Sequence, residues 1–288
     1  MHEHDLGLGH DLRVMSRRRV FGALGIAGVA AAAAACGTSP DTPAAESTTT
    51  TTTTAPAAAP QETAGPYPGD GSNGPNVLIE SGVVRSDITT SFGAYSGVAQ
   101  GVPMDLTLNL YDLAIGAAGA GMAVYVWHCD REGGYSLYSE GVTEQNYLRG
   151  VQVADEAGTV RFTSIFPACY TGRWPHIHFE VYDSLSTAVA GDNARLTSQI
   201  ALPQDACEAV FAADPGYATS TRNMSGVTLS SDNVFGDGWD AELATVTGTP
   251  TTTMSVSLTV GVAEKSQNTQ SDSEFPGGGR PPGGGPPR

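Results

Sequence analysis

The chain has 288 residues, with 14 basic and 30 acidic side chains, a formal charge of −16 and a single lysine, Lys265. That acidity argues against nucleic acid or an anionic membrane surface as an electrostatic partner. Hydrophobic residues make up 40% of the chain, so one domain of about 200 residues can bury a sizeable core once the biased ends are set aside.

At the start, Ser16-Arg17-Arg18-Arg19-Val20-Phe21 has the form of a twin-arginine export motif and precedes an Ala/Gly-rich apolar run from Val20 to Ala35, so residues 1–36 are expected to be a signal peptide. The run is short for a membrane-spanning helix, and no charged flank follows Cys36. Ala33-Ala34-Ala35-Cys36-Gly37 has the form of a degenerate lipobox, with Ala where Leu is usual. Lipidation of Cys36, which would hold the protein at the cell envelope, is favoured over cleavage at a small-residue site and free secretion. Residues 37–60 are Thr/Pro/Ala-rich and lack the apolar residues to fold, which suits a solvated tether. Residues 61–263 form the expected domain, and the Pro/Gly-rich stretch 264–288 is expected to be disordered.

Within the domain the pattern is strand. Met104, Leu106, Leu108 and Leu110 alternate with Asp105, Thr107 and Asn109, as a half-buried strand requires. Further strands are expected at 123–128, 151–154, 159–166 and 176–183. A short helix is expected at Gln204–Ala213 after Pro203, and Met254, Val256, Leu258, Val260 and Val262 mark a last alternating strand. Short strands separated by Gly, Asp and Pro predict an all-β fold, an antiparallel β-sandwich or barrel with short helices, rather than βαβ units. No P-loop, dinucleotide fingerprint or basic patch is present.

The chemistry centres on Arg173-Trp-Pro-His-Ile-His-Phe-Glu-Val-Tyr-Asp183. Period-two alternation sends His176 and His178 to one face of a strand, and Ile177, Phe179 and Val181 to the other. Six histidines exist in all, and three of them (His2, His4, His10) lie in the leader. Two imidazoles rarely hold a metal unaided. His128 could complete a His-only Zn or Cu site, sit behind the ligands, or be a satisfied buried histidine.

Four segments occur together and in order: Trp127 to Ser136 in the pattern W-x5-G-x-Y-S, Phe166-Pro-x-x-Tyr170, Arg173-x-x-His-Ile-His178, and the Gln199 strand at Thr197–Ile200. Glu62-Thr-Ala-Gly-Pro-Tyr-Pro68 precedes them. In this combination the chain resembles the intradiol ring-cleavage dioxygenases, the protocatechuate and catechol dioxygenase family, over most of 62–203. The resemblance implies a mononuclear non-haem Fe(III) held by Tyr135, Tyr170, His176 and His178. It further implies insertion of both atoms of O2 into a catechol-type ring to give a cis,cis-muconate-type diacid. Phenolate is a hard anionic donor, which suits a trivalent ion better than the two-histidine-one-carboxylate set of Fe(II) oxygenases. Arg173 and Gln199 match positions that face the substrate, Tyr170 matches the ligand that substrate displaces, and Gly65, Pro66 and Tyr67 match a pocket wall.

The chain departs from the protocatechuate and catechol enzymes in two respects. Only five residues separate Tyr170 from His176, which is expected to open the pocket on that side, and the helical dimerisation segment of catechol dioxygenases has no counterpart. Homo-oligomerisation is left open. With Cys36 lipidated, Cys129, Cys169 and Cys207 allow one disulfide. The expected pair is Cys169–Cys207, because Cys207 begins the short helix after the Gln199 strand and could clamp the Tyr170 loop. Two rival readings are a β-sandwich lipoprotein serving as a binding module, and a Zn or Cu protein using His128, His176 and His178.

Overall fold

In the computed structural model, residues 55–191 and 193–267 are described. The expected signal peptide, Cys36, most of the expected tether and most of the Pro/Gly-rich stretch 264–288 lie outside the described residues. Among the described residues, nine strands and three short α-helices follow in chain order: β1 (Pro103–Asp112), β2 (Ala117–Ala118), β3 (Ala123–Trp127), β4 (Arg149–Val153), β5 (Thr159–Ile165), β6 (His176–Tyr182), α1 (Leu185–Ala190), β7 (Leu196–Ala201), α2 (Gln204–Ala213), α3 (Ala218–Met224), β8 (Thr245–Gly248) and β9 (Met254–Val262). They make two sheets, β2-β1-β9-β8 with β5 also on β1, and β4-β3-β6-β7. This is the β-sandwich that the strand pattern predicts, with α2 at its predicted bounds.

Alternation places the core between the sheets. Met104, Leu106, Leu108 and Leu110 of β1 are buried while Asp105 and Pro103 are exposed, and β9 buries Met254, Val256, Leu258 and Val260. The two strands pair in register, Met104 with Met254 through Leu110 with Val260, and they run parallel. That pair departs from the antiparallel expectation, since a strand near the start and one at the end of the domain need no hairpin to meet. Ala58 bridges Gly261 in parallel and Ala59 is buried, so the sheet's contacts begin inside the stretch expected to be a tether.

The second sheet carries the site. β3 and β6 are antiparallel with Trp127 opposite His178, and β6 and β7 are antiparallel with His178 opposite Gln199. Trp127, His178 and Gln199 therefore share one face of three adjacent strands. The free edge of β7 is covered by two segments: Glu62 N donates to the Thr197 carbonyl at 2.8 Å, and Ala201 N donates to the Glu242 carbonyl at 2.9 Å.

The cysteine expectation is corrected. Cys129, Cys169 and Cys207 are buried free thiols. The Cys169 Sγ lies 3.4 Å from the Arg173 carbonyl and the Cys207 Sγ 3.9 Å from the Leu202 carbonyl. Each sulfur thus faces backbone of its own neighbourhood, and no Cys169–Cys207 bridge is made.

Glu242 is buried with Oε2 lacking a hydrogen-bond partner, and its Oε1 lies 3.5 Å from Ser198 Oγ. Burial, with Glu62 and Asp237 nearby, pushes its pKa up to about 9. The folded protein keeps this proton at neutral pH whereas the unfolded chain loses it near 4.5. The associated stability is therefore fully present below about pH 4.5 and is lost as pH rises towards 9. Glu242→Gln is expected to raise the melting temperature at pH 8 by about 5 °C and to change it little at pH 4, as measured by calorimetry at both pH values.

Candidate functional site

β6 delivers two imidazoles to one point because residues two apart share a face. His176 Nε2 and His178 Nε2 are 3.1 Å apart, and Tyr170 Oη is 3.2 Å from His176 Nε2. Tyr135 closes the group, with its ring 5.9 Å from that of Tyr170 and 6.2 Å from that of His178, both edge-on. The four side chains predicted from the sequence are thus brought together. Tyr135, His176 and His178 are buried, and Tyr170 is partly exposed.

Each ring is fixed by its own neighbours. The short Trp174-Pro175 entry to β6 lets the Trp174 carbonyl accept from His176 Nδ1 at 2.5 Å, which leaves the Nε2 lone pair facing the other donors. His178 stacks on Trp127 at 5.0 Å with the rings 5° from parallel. Tyr135 stands at the head of a tight loop in which Leu137 has φ 73°, a costly conformation for a side chain with a Cβ. Arg149 holds that loop from inside: Nε donates to Ser136 Oγ and Nη2 to the Ser136 carbonyl, both at 3.0 Å, while Nη1 donates to the Pro68 carbonyl at 2.9 Å. The Asp130 carboxylate caps the preceding turn through Glu132 N and Gly134 N.

The electrostatics describe a site poised for a cation. Burial holds the His176 and His178 pKa values well below the usual imidazole range, so both imidazoles are neutral. Burial, and then the neighbouring Tyr170 phenol, push Tyr135 well above 10. Tyr135 Oη and His178 Nδ1 are buried without a hydrogen-bond partner among the described residues, and an unmet buried polar group calls for a ligand, ion or water. Adjacent donors bonded to one ion at about 2.1 Å lie about 3 Å apart, which matches the Nε2–Nε2 and Oη–Nε2 separations. The donor set, two phenols and two imidazoles, fits a hard, highly charged metal ion.

His128 belongs elsewhere. Its Nδ1 is 2.8 Å from the Cys129 carbonyl and its Nε2 is 2.7 Å from Ser164 Oγ, so both ring nitrogens are engaged and neither is free for a metal. Among the described residues, no group of three or more His, Cys, Asp and Glu side chains is placed to hold an ion. This removes the structural basis of the His-only reading.

The remaining predicted residues surround the centre. Gly65 has φ +67°, and a Cβ there would stand 3.3 Å from His178 Cε1. The Tyr67 ring is 4.9 Å from Tyr135 and 5.1 Å from Tyr138, while the Pro66 carbonyl accepts from Asn73 Nδ2 and ties down the same strip. Arg173 is buried, with Nη2 donating to Gln199 Oε1 at 2.7 Å and Nε donating to Asp232 Oδ2 at 3.0 Å. Gln199 Nε2 in turn donates to the Thr63 carbonyl at 2.9 Å. Both ends of the Gln199 amide therefore hold Arg173 to the 61–68 strip, at the strand position opposite His178.

The expectation of an open flank beside Tyr170 is met at Tyr170, Thr171 and Gly172, of which Thr171 is exposed and the other two are partly exposed. The loop is anchored just before Tyr170, with Cys169 N donating to Ser220 Oγ at 3.1 Å and Asn223 Nδ2 donating to the Cys169 carbonyl at 2.8 Å. Sequence reading missed Asp232, Arg149 and the packing role of Trp127. The first two carry no local pattern, and each meets its partners only through the fold.

The profile of the family described as Dioxygenase matches residues 77–233. Among solved structures, an intradiol ring-cleavage dioxygenase from Tetranychus urticae is 24% identical over 72% of this chain and 95% of its own, with a TM-score of 0.54. Another dioxygenase crystal structure has the same identity and coverage, with a TM-score of 0.55. The catechol 1,2-dioxygenase of Pseudomonas arvilla C-1 is 19% identical over 71% of this chain and 62% of its own, with a TM-score of 0.43. The likeness to the first two shows a shared fold.

Gly65→Ala is expected to cost about 1–2 kcal/mol of unfolding free energy from the positive φ, plus the clash with His178. Gly141→Ala, with φ +84° and nothing within 4 Å of the new methyl, should cost only the backbone part. Urea unfolding of the two variants checks the difference.

Proposed function

The chain belongs to the dioxygenase family, and from that premise we propose that it is a non-haem Fe(III) enzyme that cleaves a catechol-type ring between its two hydroxyl-bearing carbons. O2 would supply both inserted atoms, and the product would be a cis,cis-muconate-type diacid. The observation that carries the reading is the convergence of Tyr135, Tyr170, His176 and His178, with Tyr135 Oη buried and unmatched. A decayed binding module would have no reason to keep two phenols and two imidazoles on one point.

When bound, Fe(III) would supply the Lewis acidity that stabilises a catechol as its dianion and makes the ring reactive towards O2. Tyr135 and Tyr170 would hold it as phenolates and His176 and His178 as neutral imidazoles. Tyr170, the one partly exposed of the four, would be the donor that gives way to substrate and would accept a substrate proton at Oη. Arg173 sits where a fixed positive charge offsets negative charge developing on the ring. The strip from Gly65 to Tyr67 excludes water and bounds the substrate.

Purified protein is expected to contain about one iron per chain and to absorb visible light through phenolate-to-metal charge transfer. Anaerobic catechol should shift that band, and admitting O2 should yield a ring-opened diacid. Tyr170→Phe should retain iron weakly and lose most turnover, whereas His178→Ala should lose the iron. A colourless protein that ignores every catechol would overturn the reading, and a yellow semialdehyde product would refute intradiol cleavage.

We also propose export by the twin-arginine route, with Cys36 lipidated, on the strength of the leader motif. Arg17→Lys with Arg18→Lys is expected to trap the protein in the cytoplasm in cell fractionation. Cys36→Ala should move it from the membrane to the soluble fraction, and no change in either would reject the corresponding claim.

A further inference from the structure

We propose that Asp232 is a positioning residue for this reaction: its carboxylate fixes the Arg173 guanidinium against the site and, through Trp174, fixes the imidazole of His176. The inference rests on the function proposed above, and it assigns a role to a residue 59 positions downstream of the one it serves.

The carboxylate is surrounded by donors. Oδ2 accepts from Arg173 Nε at 3.0 Å and from Trp174 N at 2.7 Å. Oδ1 accepts from Arg173 Nη2 at 3.4 Å, Val234 N at 2.8 Å and Phe235 N at 3.2 Å. Both members of the ion pair are out of solvent, with side-chain exposures of 4% and 0%. Parting the members of an existing buried ion pair is strongly unfavourable, and Asp232 is itself fixed by the N–H groups of Trp174, Val234 and Phe235, so its position sets where Arg173 sits.

Three contacts then lead to the centre. The guanidinium, oriented by Asp232 and Gln199 from two sides, keeps its charge beside the Tyr170 and Tyr135 phenols. Trp174, whose N–H is held by Asp232, presents its carbonyl to His176 Nδ1 and sets that ring's tautomer. Phe235, whose N–H is also held by Asp232, places its ring 6.5 Å from His176. One carboxylate thus sets a substrate-facing charge and a ligand orientation together, by the logic with which outer partners tune metal ligands.

The test is a double-variant cycle on the full-length, iron-loaded protein with Asp232→Asn and Arg173→Gln. Asn has the shape of Asp but no charge, and it turns an N–H towards one set of these donors. Asp232→Asn is expected to retain iron, to weaken anaerobic catechol binding about 10-fold or more as read from the visible band, and to lower kcat/KM by a similar factor. In the Arg173→Gln background the same change should alter both by only about threefold or less, because the guanidinium branch is gone and only the branch through Trp174 to His176 remains. A purely architectural Asp232 would multiply the losses in both backgrounds, and that result overturns the proposal, as does an Asp232→Asn protein within twofold of wild type. Where Asp232→Asn does not accumulate folded, Asp232→Glu displaces the guanidinium by one methylene, and the same non-additivity is expected. Wild-type protein that binds no catechol would overturn the proposed reaction instead. The Asp232–Arg173 coupling would then be read from urea unfolding of the iron-free chain, where the double variant should be no less stable than Arg173→Gln alone. A double variant less stable than Arg173→Gln would overturn the pairing itself.

Discussion

Two buried ring nitrogens 3.1 Å apart, His176 Nε2 and His178 Nε2, set the terms for everything around them. Neutral imidazoles can approach so closely only with a proton or a cation between their lone pairs. The Trp174 carbonyl accepts a hydrogen bond from His176 Nδ1–H and so commits Nε2 to be an acceptor. Trp127 stacks on His178 and leaves that ring little freedom to turn away. The strand that presents both imidazoles is buried along its whole length, so the surrounding structure must satisfy the arrangement without water. The loops, the short helices and the 61–68 strip can all be understood as the packing that makes this tolerable.

The use of basic residues shows the same economy. In a chain this acidic, Arg149, Arg173 and Arg195 are buried, and each joins segments far apart in sequence. Arg149 ties the Tyr135 loop to Pro68 without a carboxylate partner, using neutral oxygens alone. Arg195 joins β7 to the end of β1 through Asp112 and to the Ala263 carbonyl, so it secures one sheet to the other. Arg173 alone is placed beside the phenols, and it is the one whose carboxylate partner lies on the segment that covers the site. The three guanidiniums differ less in chemistry than in what the fold aims them at.

Much of this was legible in the sequence because it is periodic or local. Alternation in β1 and β9 marked the core strands, Pro203 marked the start of α2, and spacing alone placed His176 and His178 on one face. The four donor residues were legible through the order of their motifs, since Tyr135 and Tyr170 have no helical or strand period linking them to β6. What was not legible depends on long-range closure. The parallel β1–β9 pair joins the two ends of the domain, Asp232 reaches Arg173 across 59 residues, and Arg149 reaches Pro68 across 81. Gln199 could be assigned to the site but not its partners, because a strand position fixes a face and says nothing of which carbonyl waits there. Cysteine count allowed a bridge, and only the direction of each sulfur towards a nearby carbonyl decided against it.

The two phenols are chemically alike and are made unequal by their surroundings. Tyr135 is enclosed, capped by Tyr67 at 4.9 Å, and carried by a loop that Arg149 locks from behind. Its loop cannot shift without breaking the Arg149 bonds to Ser136, and burial keeps its phenol neutral until an ion compensates the charge. Tyr170 is partly exposed, and its backbone lies in the short loop held by Ser220 and Asn223 through Cys169 rather than through Tyr170 itself. Under the proposed reaction its side chain would swing out while the loop stays fixed, and the displaced phenol would meet solvent that can accept its hydrogen bond. Under the proposed reaction Tyr135 would be the permanent donor and Tyr170 the exchangeable one, and the difference between two residues of the same type would come from burial and from what anchors each loop.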